Sequence, residues 1–149
     1  MKRVFSAKLF AFVFVLFVYR ISFAQMTSDW QPIYLTVGGS NTVNGVSAFF
    51  QINICNGADV VYIKFINQNN YPVKLQWYDA VFTQEKKWVN KENPSEKKSL
   101  TLNAGSEVKG ECSANNSAEV VVPLKDFIDK AENFKRYTAS HFEVLIAEK

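Results

Sequence analysis

The chain contains few side chains that could carry out catalysis. His141 is its only histidine and stands next to Phe142, which is typical of a structural or surface residue rather than of a base held by a second polar group. Asp126 and Asp129 lie three positions apart and could share a helix face, but the commoner arrangement is a solvated face on which Asp126 pairs with Lys130. No nucleophile-elbow, zinc-protease, P-loop or dinucleotide-binding glycine motif occurs. The sequence therefore predicts no catalytic residue, no cofactor and a protein that is not an enzyme.

The two cysteines, Cys55 and Cys112, are the next candidates for chemistry. They lie 57 positions apart and form no CxxC pair, and the single histidine cannot complete a zinc site with them, so no metal is predicted. Behind a secretory leader, two cysteines most often form one disulfide, and closing a loop of this length would stabilise the fold by roughly 4 kcal/mol. The alternative is a pair of buried free thiols. We predict the disulfide Cys55–Cys112.

The most distinctive candidate for binding is the segment Gln84–Lys98, which has five lysines and three glutamates around one tryptophan. A basic loop that exposes an aromatic ring suits an acidic protein, a polysaccharide or a lipid headgroup. The alternative is a solvated hairpin tip with the tryptophan folded back on the core. The composition predicts a candidate binding surface formed by Trp88, Lys86, Lys87 and Lys91.

Two further polar features interrupt apolar segments. The amides Asn67–Asn70 stand between two predicted strands, where asparagine favours turns because it tolerates positive φ, and a glycan contact is the alternative. Asp79 lies in an apolar strand two positions after Trp77. Such a residue is typical of a bulge or an edge strand, with a buried ligand contact as the alternative. We therefore expect a hairpin loop at the amides and an irregular or edge position at Asp79.

The first 24 residues have the organisation of a secretory signal peptide. Basic residues precede an apolar run of 11 residues, Leu9–Tyr19, and the small residues Ser22 and Ala24 follow it. A membrane span needs about 20 apolar residues, so an uncleaved anchor is the weaker alternative. We predict cleavage after Ala24, a mature chain of residues 25–149 without a membrane span, and a secreted or periplasmic location.

Removal of the leader changes the net charge. The full sequence has 17 Lys and Arg against 14 Asp and Glu. Four of the basic residues lie in the leader, so the mature chain keeps 13 against 14 and carries a net charge of −1. This balance provides no basic excess for a phosphate backbone, and we predict no nucleic-acid partner.

Most of the mature chain alternates apolar and polar residues with a period of two, which indicates half-buried strands. The predicted strands are Pro32–Val37, Val46–Cys55, Asp59–Ile66, Tyr71–Thr83, Lys98–Leu102, Ser106–Cys112, Ala118–Leu124 and His141–Ala147. Hairpin turns are predicted at Asn56–Gly57 and Asn103–Gly105. Between Pro123 and Tyr137 the apolar residues instead recur at helical spacing. The pattern predicts a mainly β fold, a single β-sandwich domain over residues 25–149 with seven to eight strands and one short helix near the C-terminus.

The order Cys55, Trp77, Cys112 resembles the core of immunoglobulin-like and fibronectin-like sandwiches, in which a disulfide joins the two sheets across a buried tryptophan. The chain is similar in architecture to secreted modules of this kind from Gram-negative bacteria, whose leaders often end with Ala-Gln, as Ala24–Gln25 does here. The resemblance implies an immunoglobulin-like β-sandwich. It implies no activity, since this fold hosts many functions.

Two classes of function fit these features. The first is a non-catalytic binding or structural module outside the cytoplasm, with an unassigned protein or polysaccharide as partner. The second is a secreted inhibitor or effector-type protein that acts on another enzyme. The first class is the preferred hypothesis, and loss of protease activity in a mixed assay would favour the second.

Overall fold

The computed structural model describes residues 29–113 and 118–147. The predicted leader, residues 1–24, lies outside these ranges, so its cleavage stays a prediction. The described residues form two antiparallel sheets packed face to face, which confirms the predicted β-sandwich. Their strands are β1 (Gln31–Pro32), β2 (Thr42–Val43), β3 (Val46–Cys55), β4 (Ala58–Asn67), β5 (Val73–Thr83), β6 (Trp88–Asn90), β7 (Lys98–Leu102), β8 (Glu107–Lys109), β9 (Val121–Pro123) and β10 (Phe134–Ile146).

Each sheet is built around its longest strands. In the six-stranded sheet, β3 and β4 form the centre, β1 and β2 pair with the outer edge of β3, and β8 and β9 pair with the outer edge of β4. In the four-stranded sheet, β5 is central, with β10 on one side and β6 and β7 on the other. The chain passes from the first sheet to the second between β4 and β5.

The hairpin between β3 and β4 is the one that its turn residues predict. Asn56 and Gly57 both have positive φ, 51° and 78°, which is the conformation of the tight turns that match the twist of paired strands. The register runs without interruption from Cys55–Ala58 to Val46–Asn67. The prediction of a hairpin at Asn56–Gly57 is confirmed.

The core lies between the two sheets and follows the alternation of β5. Val73, Leu75, Trp77 and Val81 on this strand are buried, because every second side chain of a strand points to the same face. Trp77 is fully buried and packs edge-on against Phe65 of the opposite sheet, with ring centroids 5.0 Å apart. This contact places an aromatic pair across the middle of the sandwich.

The helix predicted between Pro123 and Tyr137 is wrong. This part of the chain forms two 3₁₀ turns, Leu124–Asp126 and Ala131–Asn133, and then enters β10 at Phe134. The apolar residues of the segment do pack on the core. They lie in short turns rather than in a helix, because the chain has already joined the sheet at Phe134, which pairs with Thr83 of β5. Tertiary pairing therefore overrides the helical spacing.

The disulfide Cys55–Cys112 is confirmed, with the two Cα atoms 5.3 Å apart. Its position differs from the immunoglobulin-like arrangement. Cys55 ends β3 and Cys112 follows β8, and both strands belong to the six-stranded sheet. The bridge joins neighbouring parts of one sheet instead of crossing between the two, so the immunoglobulin-like resemblance is not confirmed.

The disulfide gives the first testable prediction. Denatured but unreduced protein should contain no titratable thiol, and a Cys55→Ser, Cys112→Ser variant should lose about 2–4 kcal/mol of unfolding free energy in urea, because the open chain gains conformational freedom. Reductant should lower the stability of the wild type to that of the variant and leave the variant unchanged. Two titratable thiols in the unreduced protein would show that the pairing is wrong.

Candidate binding site

Three side chains form a row across the outer face of the four-stranded sheet. Trp88 on β6 and Arg136 on β10 both lie opposite Phe82 on β5, and directly opposed residues of antiparallel strands share a face. The ring centroids of Phe82 and Trp88 are 4.7 Å apart. The guanidinium carbon of Arg136 lies 5.0 Å from the Phe82 centroid and 5.1 Å from that of Trp88. We call this stack the Trp88–Phe82–Arg136 row.

A groove of about 610 Å³ lies beside the Trp88–Phe82–Arg136 row. It is bounded by the sheet and by residues of the Tyr34–Gly39 segment. Ala80 and Thr138, which face each other on β5 and β10, line it. The hydroxyl Oγ1 of Thr138 donates a hydrogen bond of 3.0 Å to the carbonyl of Tyr34, which attaches the segment to the edge strand. The small side chain of Ala80 leaves room between larger neighbours.

Arg136 lines the groove as a cation without an acidic partner among the described residues. None of the ion pairs within residues 29–113 and 118–147 includes it. Its Nε atom is buried and has no hydrogen-bond partner in this part of the chain. Aromatic rings close to a guanidinium stabilise its charge, and its two Nη groups are the donors that can form a pair with a ligand outside the buried Nε.

The other end of the groove carries a carboxylate and hydroxyl groups. Glu92 accepts a hydrogen bond of 3.1 Å from the Ser140 hydroxyl, and His141 Nε2 lies 3.5 Å from the same carboxylate oxygen. His141 has a positive φ of 49° and lies in the irregularity of β10 between Ser140 and Glu143. The groove therefore has a cation at one end and hydrogen-bond acceptors at the other.

Among the residues predicted as a binding surface, Trp88 lines this groove, and Lys86, Lys87 and Lys91 do not. Lys86 lies in the exposed turn between β5 and β6 with a φ of 63°. Lys87 forms an exposed ion pair with Glu85 at 2.9 Å, and this hydrogen bond raises the pKa of Lys87.

Lys91 points toward the 3₁₀ turn that follows β9. Its Nζ is 3.8 Å from Asp126 and 5.1 Å from the ring centroid of Phe127. Asp126 therefore pairs with Lys91 rather than with Lys130, which instead pairs with Glu132 at 3.8 Å. The structure brings Trp88 together with Arg136 and leaves the three lysines apart from it.

Sequence reasoning missed Arg136, Thr138 and Glu92. The helical spacing over Pro123–Tyr137 places Arg136 in a helix and Thr138 just after it, so the sequence pattern predicts neither residue on the outer face of a strand. Their alternation with the buried residues Tyr137 and Ala139 is the signal that indicates them. It becomes visible only when the segment is treated as β10.

The amides Asn67–Asn70 connect the two sheets rather than two strands of a hairpin. Asn67 is buried and donates through Nδ2 to the carbonyls of Tyr71 and Asn103, at 3.0 and 2.9 Å. Asn69 donates to the carbonyl of Asn44 at 2.9 Å. The side chains of Asn67 and Asn69 tie three connecting segments together. The expected hairpin is therefore wrong: residues 67–70 belong to a crossover, none of them has a positive φ, and Asn67 and Asn69 act there through side-chain hydrogen bonds. The segment Asn103–Gly105 likewise joins strands of different sheets.

Asp79 is buried in the central strand of the four-stranded sheet, so the predicted bulge or edge position is wrong. Its carboxylate accepts hydrogen bonds from Trp77 Nε1 at 3.0 Å and from the Tyr137 hydroxyl at 2.6 Å. The Nζ atom of Lys98 lies 2.7 Å from its second oxygen and donates to the carbonyl of Glu119. Burial, and after it the charge of Asp79, raises the pKa of Tyr137 well above its usual range. The carboxylate therefore stabilises the core by binding donors from three strands, β5, β7 and β10.

Among the described residues that line the groove, His141 and Glu92 are an imidazole and a carboxylate that could exchange a proton. The His141 side chain is largely exposed and that of Glu92 partly exposed, with 67% and 37% of their surface accessible. Across residues 29–113 and 118–147, no three His, Cys, Asp or Glu side chains are grouped closely enough to hold a metal ion. In the same ranges, no helix has the length and apolar character that a membrane crossing requires. The prediction that the protein is not an enzyme stays a prediction.

Comparison with known proteins gives only a distant structural similarity. No family model matches the chain, and no curated protein matches it. A solved structure of a DUF1425 family member from Shewanella sp. pv-4 has 15% sequence identity and a TM-score of 0.38. The similarity covers 70% of this chain and 78% of that chain. It is too distant to assign a function.

Proposed function

We propose that the protein is a non-catalytic ligand-binding module that acts outside the cytoplasm, and that the groove beside the Trp88–Phe82–Arg136 row is its binding site. The observation that carries the proposal is Trp88, half of whose surface is exposed at the groove. A tryptophan supplies a large contact area at little entropic cost, which makes it a frequent anchor of binding sites. The disulfide supports an oxidising compartment, in agreement with the predicted leader.

The size and lining of the groove favour a segment of polysaccharide as the ligand. Its volume of about 610 Å³ lies within the range of roughly 300–1,000 Å³ that small-molecule sites occupy. Its lining includes the exposed aromatic residues Tyr34 and Trp88 and the polar side chains of Asn90, Thr138 and Ser140. Sugars combine an apolar ring face with a rim of hydroxyl groups, so they match this mixture. A protein partner would need a larger contact, on the order of 800 Å² on each side.

Trp88→Ala tests this proposal. The variant should lose retention in native gels that contain the polysaccharide bound by the wild type, screened from a panel of neutral and acidic polymers. It should lose about 1 kcal/mol or less of stability, because Trp88 is half-exposed and only its contacts with Phe82 and Arg136 are removed.

The matched control is Trp30→Ala. Trp30 also has a cation over its ring, with Lys64 Nζ at 4.8 Å, but it does not line the groove. Its variant should keep wild-type retention. If Trp88→Ala is retained as well as the wild type, or if no polymer retards the wild type, the groove is not the binding site.

A further inference from the structure

Arg136 occupies an environment that is incomplete without an anion. Its guanidinium is partly buried on the rings of Phe82 and Trp88, and no described carboxylate neutralises it. Removing a cation from water costs free energy unless hydrogen-bonding partners or an opposite charge replace the solvent. A ligand anion at this point would compensate that cost.

The arrangement also restricts the kind of anion. The guanidinium carbon lies about 5 Å from both ring centroids, and the N–H donors of a guanidinium lie in its own plane. Planar, paired donors match the two oxygens of a carboxylate. At the other end of the groove, Glu92 would repel a second negative charge and accept hydrogen bonds from hydroxyl groups. A ligand with one carboxylate and several hydroxyls fits both ends, whereas a densely sulfated polymer does not.

We infer that the groove binds a carboxylate-bearing sugar, a uronate unit, with its carboxylate on Arg136 and its ring against Trp88. This inference rests on the proposed function, since it assigns the ligand class of the same groove. A uronate unit presents its carboxylate to Arg136 from one edge of the ring. Hydroxyls of that unit, or of the next unit in a chain, reach toward Glu92, whose partner Ser140 lies four positions further along β10. The unit can come from a free acidic sugar or from an acidic polysaccharide chain.

Titration calorimetry of the full mature protein with polygalacturonate, galacturonate and fully methyl-esterified polygalacturonate tests the inference. The wild type should bind the acidic polymer and lose that binding when the carboxylates are esterified. Arg136→Gln should weaken binding of the acidic polymer by about 10- to 100-fold, as loss of a charge-assisted hydrogen-bonded pair does. Arg136→Lys, which keeps the charge but not the paired donors, should bind the acidic polymer more tightly than Arg136→Gln and less tightly than the wild type. Measurable binding of galacturonate alone would identify the free acidic sugar as the ligand. Binding of the polymer without binding of galacturonate would identify the polysaccharide chain as the ligand.

Lys135→Gln is the matched control, because it removes the same charge from the neighbouring position. Lys135 lies 5.6 Å from the Phe82 ring and does not line the groove, so its variant should bind as the wild type does. Circular dichroism and thermal unfolding of each variant check that the fold is intact.

The outcomes separate this inference from the proposed function. Equal binding of the acidic and esterified polymers, or equal loss in Arg136→Gln and Lys135→Gln, overturns the uronate inference, and so does the absence of binding by the wild type. If Trp88→Ala still abolishes retention of a neutral polymer, the groove remains the binding site with another ligand. If neither Trp88→Ala nor Arg136→Gln changes any binding, both proposals fail.

Discussion

Replacing Asp79 with alanine is expected to lower the free energy of unfolding by about 3–5 kcal/mol, the usual cost of removing one partner of a buried ion pair. The substitution deprives three donors of their acceptor, namely Trp77, Tyr137 and Lys98. The first two are buried, so water cannot replace the lost hydrogen bonds without opening the core. Urea unfolding of the purified variant measures the effect.

The matched control is Glu143→Ala. Glu143 also pairs with a lysine, Lys97, at 3.1 Å, but 52% of its side-chain surface is exposed, and exposed pairs contribute about 0–1 kcal/mol. Asp79→Asn keeps the shape and one acceptor oxygen but has no charge. Its loss of unfolding free energy should therefore lie between those of Asp79→Ala and Glu143→Ala. If Asp79→Ala were no more costly than Glu143→Ala, the carboxylate would be hydrated and the network would not stabilise the core.

The sequence was sufficient to predict the central strands of the sandwich. β3 begins and ends at the predicted residues, Val46 and Cys55, because apolar residues recur at every second position from Val46 to Ile54 and a two-residue turn follows them. β5 begins at Val73, two residues after the predicted start. Pro72 precedes it and cannot donate a backbone hydrogen bond to a sheet. Where one face of a strand is buried throughout, local pattern and tertiary structure agree.

The second half of β10 agrees with the predicted strand His141–Ala147, but its first half, from Phe134 to Ser140, could not be predicted because the register is irregular. Shifts in its pairing with β5 occur between Phe134 and Arg136 and between Ser140 and Glu143. The first shift places the buried residues Phe134 and Tyr137 three positions apart, which imitates helical spacing. After one inserted residue, every later side chain lies on the face opposite to the one that strict alternation predicts. The side chain that we propose as the anion-binding group, Arg136, lies immediately after this insertion and was missed for that reason.

Local turn chemistry also cannot tell a hairpin from a crossover between sheets. Asparagine is favoured in both kinds of connection, because its side chain forms hydrogen bonds with nearby backbone groups. Whether Asn67–Asn70 returns the chain to a neighbouring strand or carries it to the other sheet depends on long-range packing. The role of Asp79 is equally non-local, since its partner Tyr137 is 58 positions away. Such partners become visible only when the strands are paired.

Trp77→Ala is the second substitution with a large expected effect. Trp77 is fully buried, packs on Phe65 across the sandwich and donates to Asp79. Truncation leaves a cavity of nearly the whole indole and removes one hydrogen bond from the buried carboxylate. We expect a loss of about 3–5 kcal/mol, as for other large aromatic truncations in cores. Trp77→Phe, which keeps a smaller ring against Phe65 but has no donor for Asp79, should lose less stability than Trp77→Ala.

Comparison with Trp88→Ala makes the test independent of the general cost of removing tryptophan. Both residues lie in the same four-stranded sheet, and both lose the same atoms. Trp77 points to the core, whereas half of the surface of Trp88 is exposed at the groove. Urea unfolding should therefore show a loss for Trp77→Ala several times that for Trp88→Ala, and ligand retention should be lost in Trp88→Ala under conditions where that protein is fully folded. Similar losses of stability in the two variants would mean that Trp88 supports the fold and would remove the main observation behind the proposed binding site.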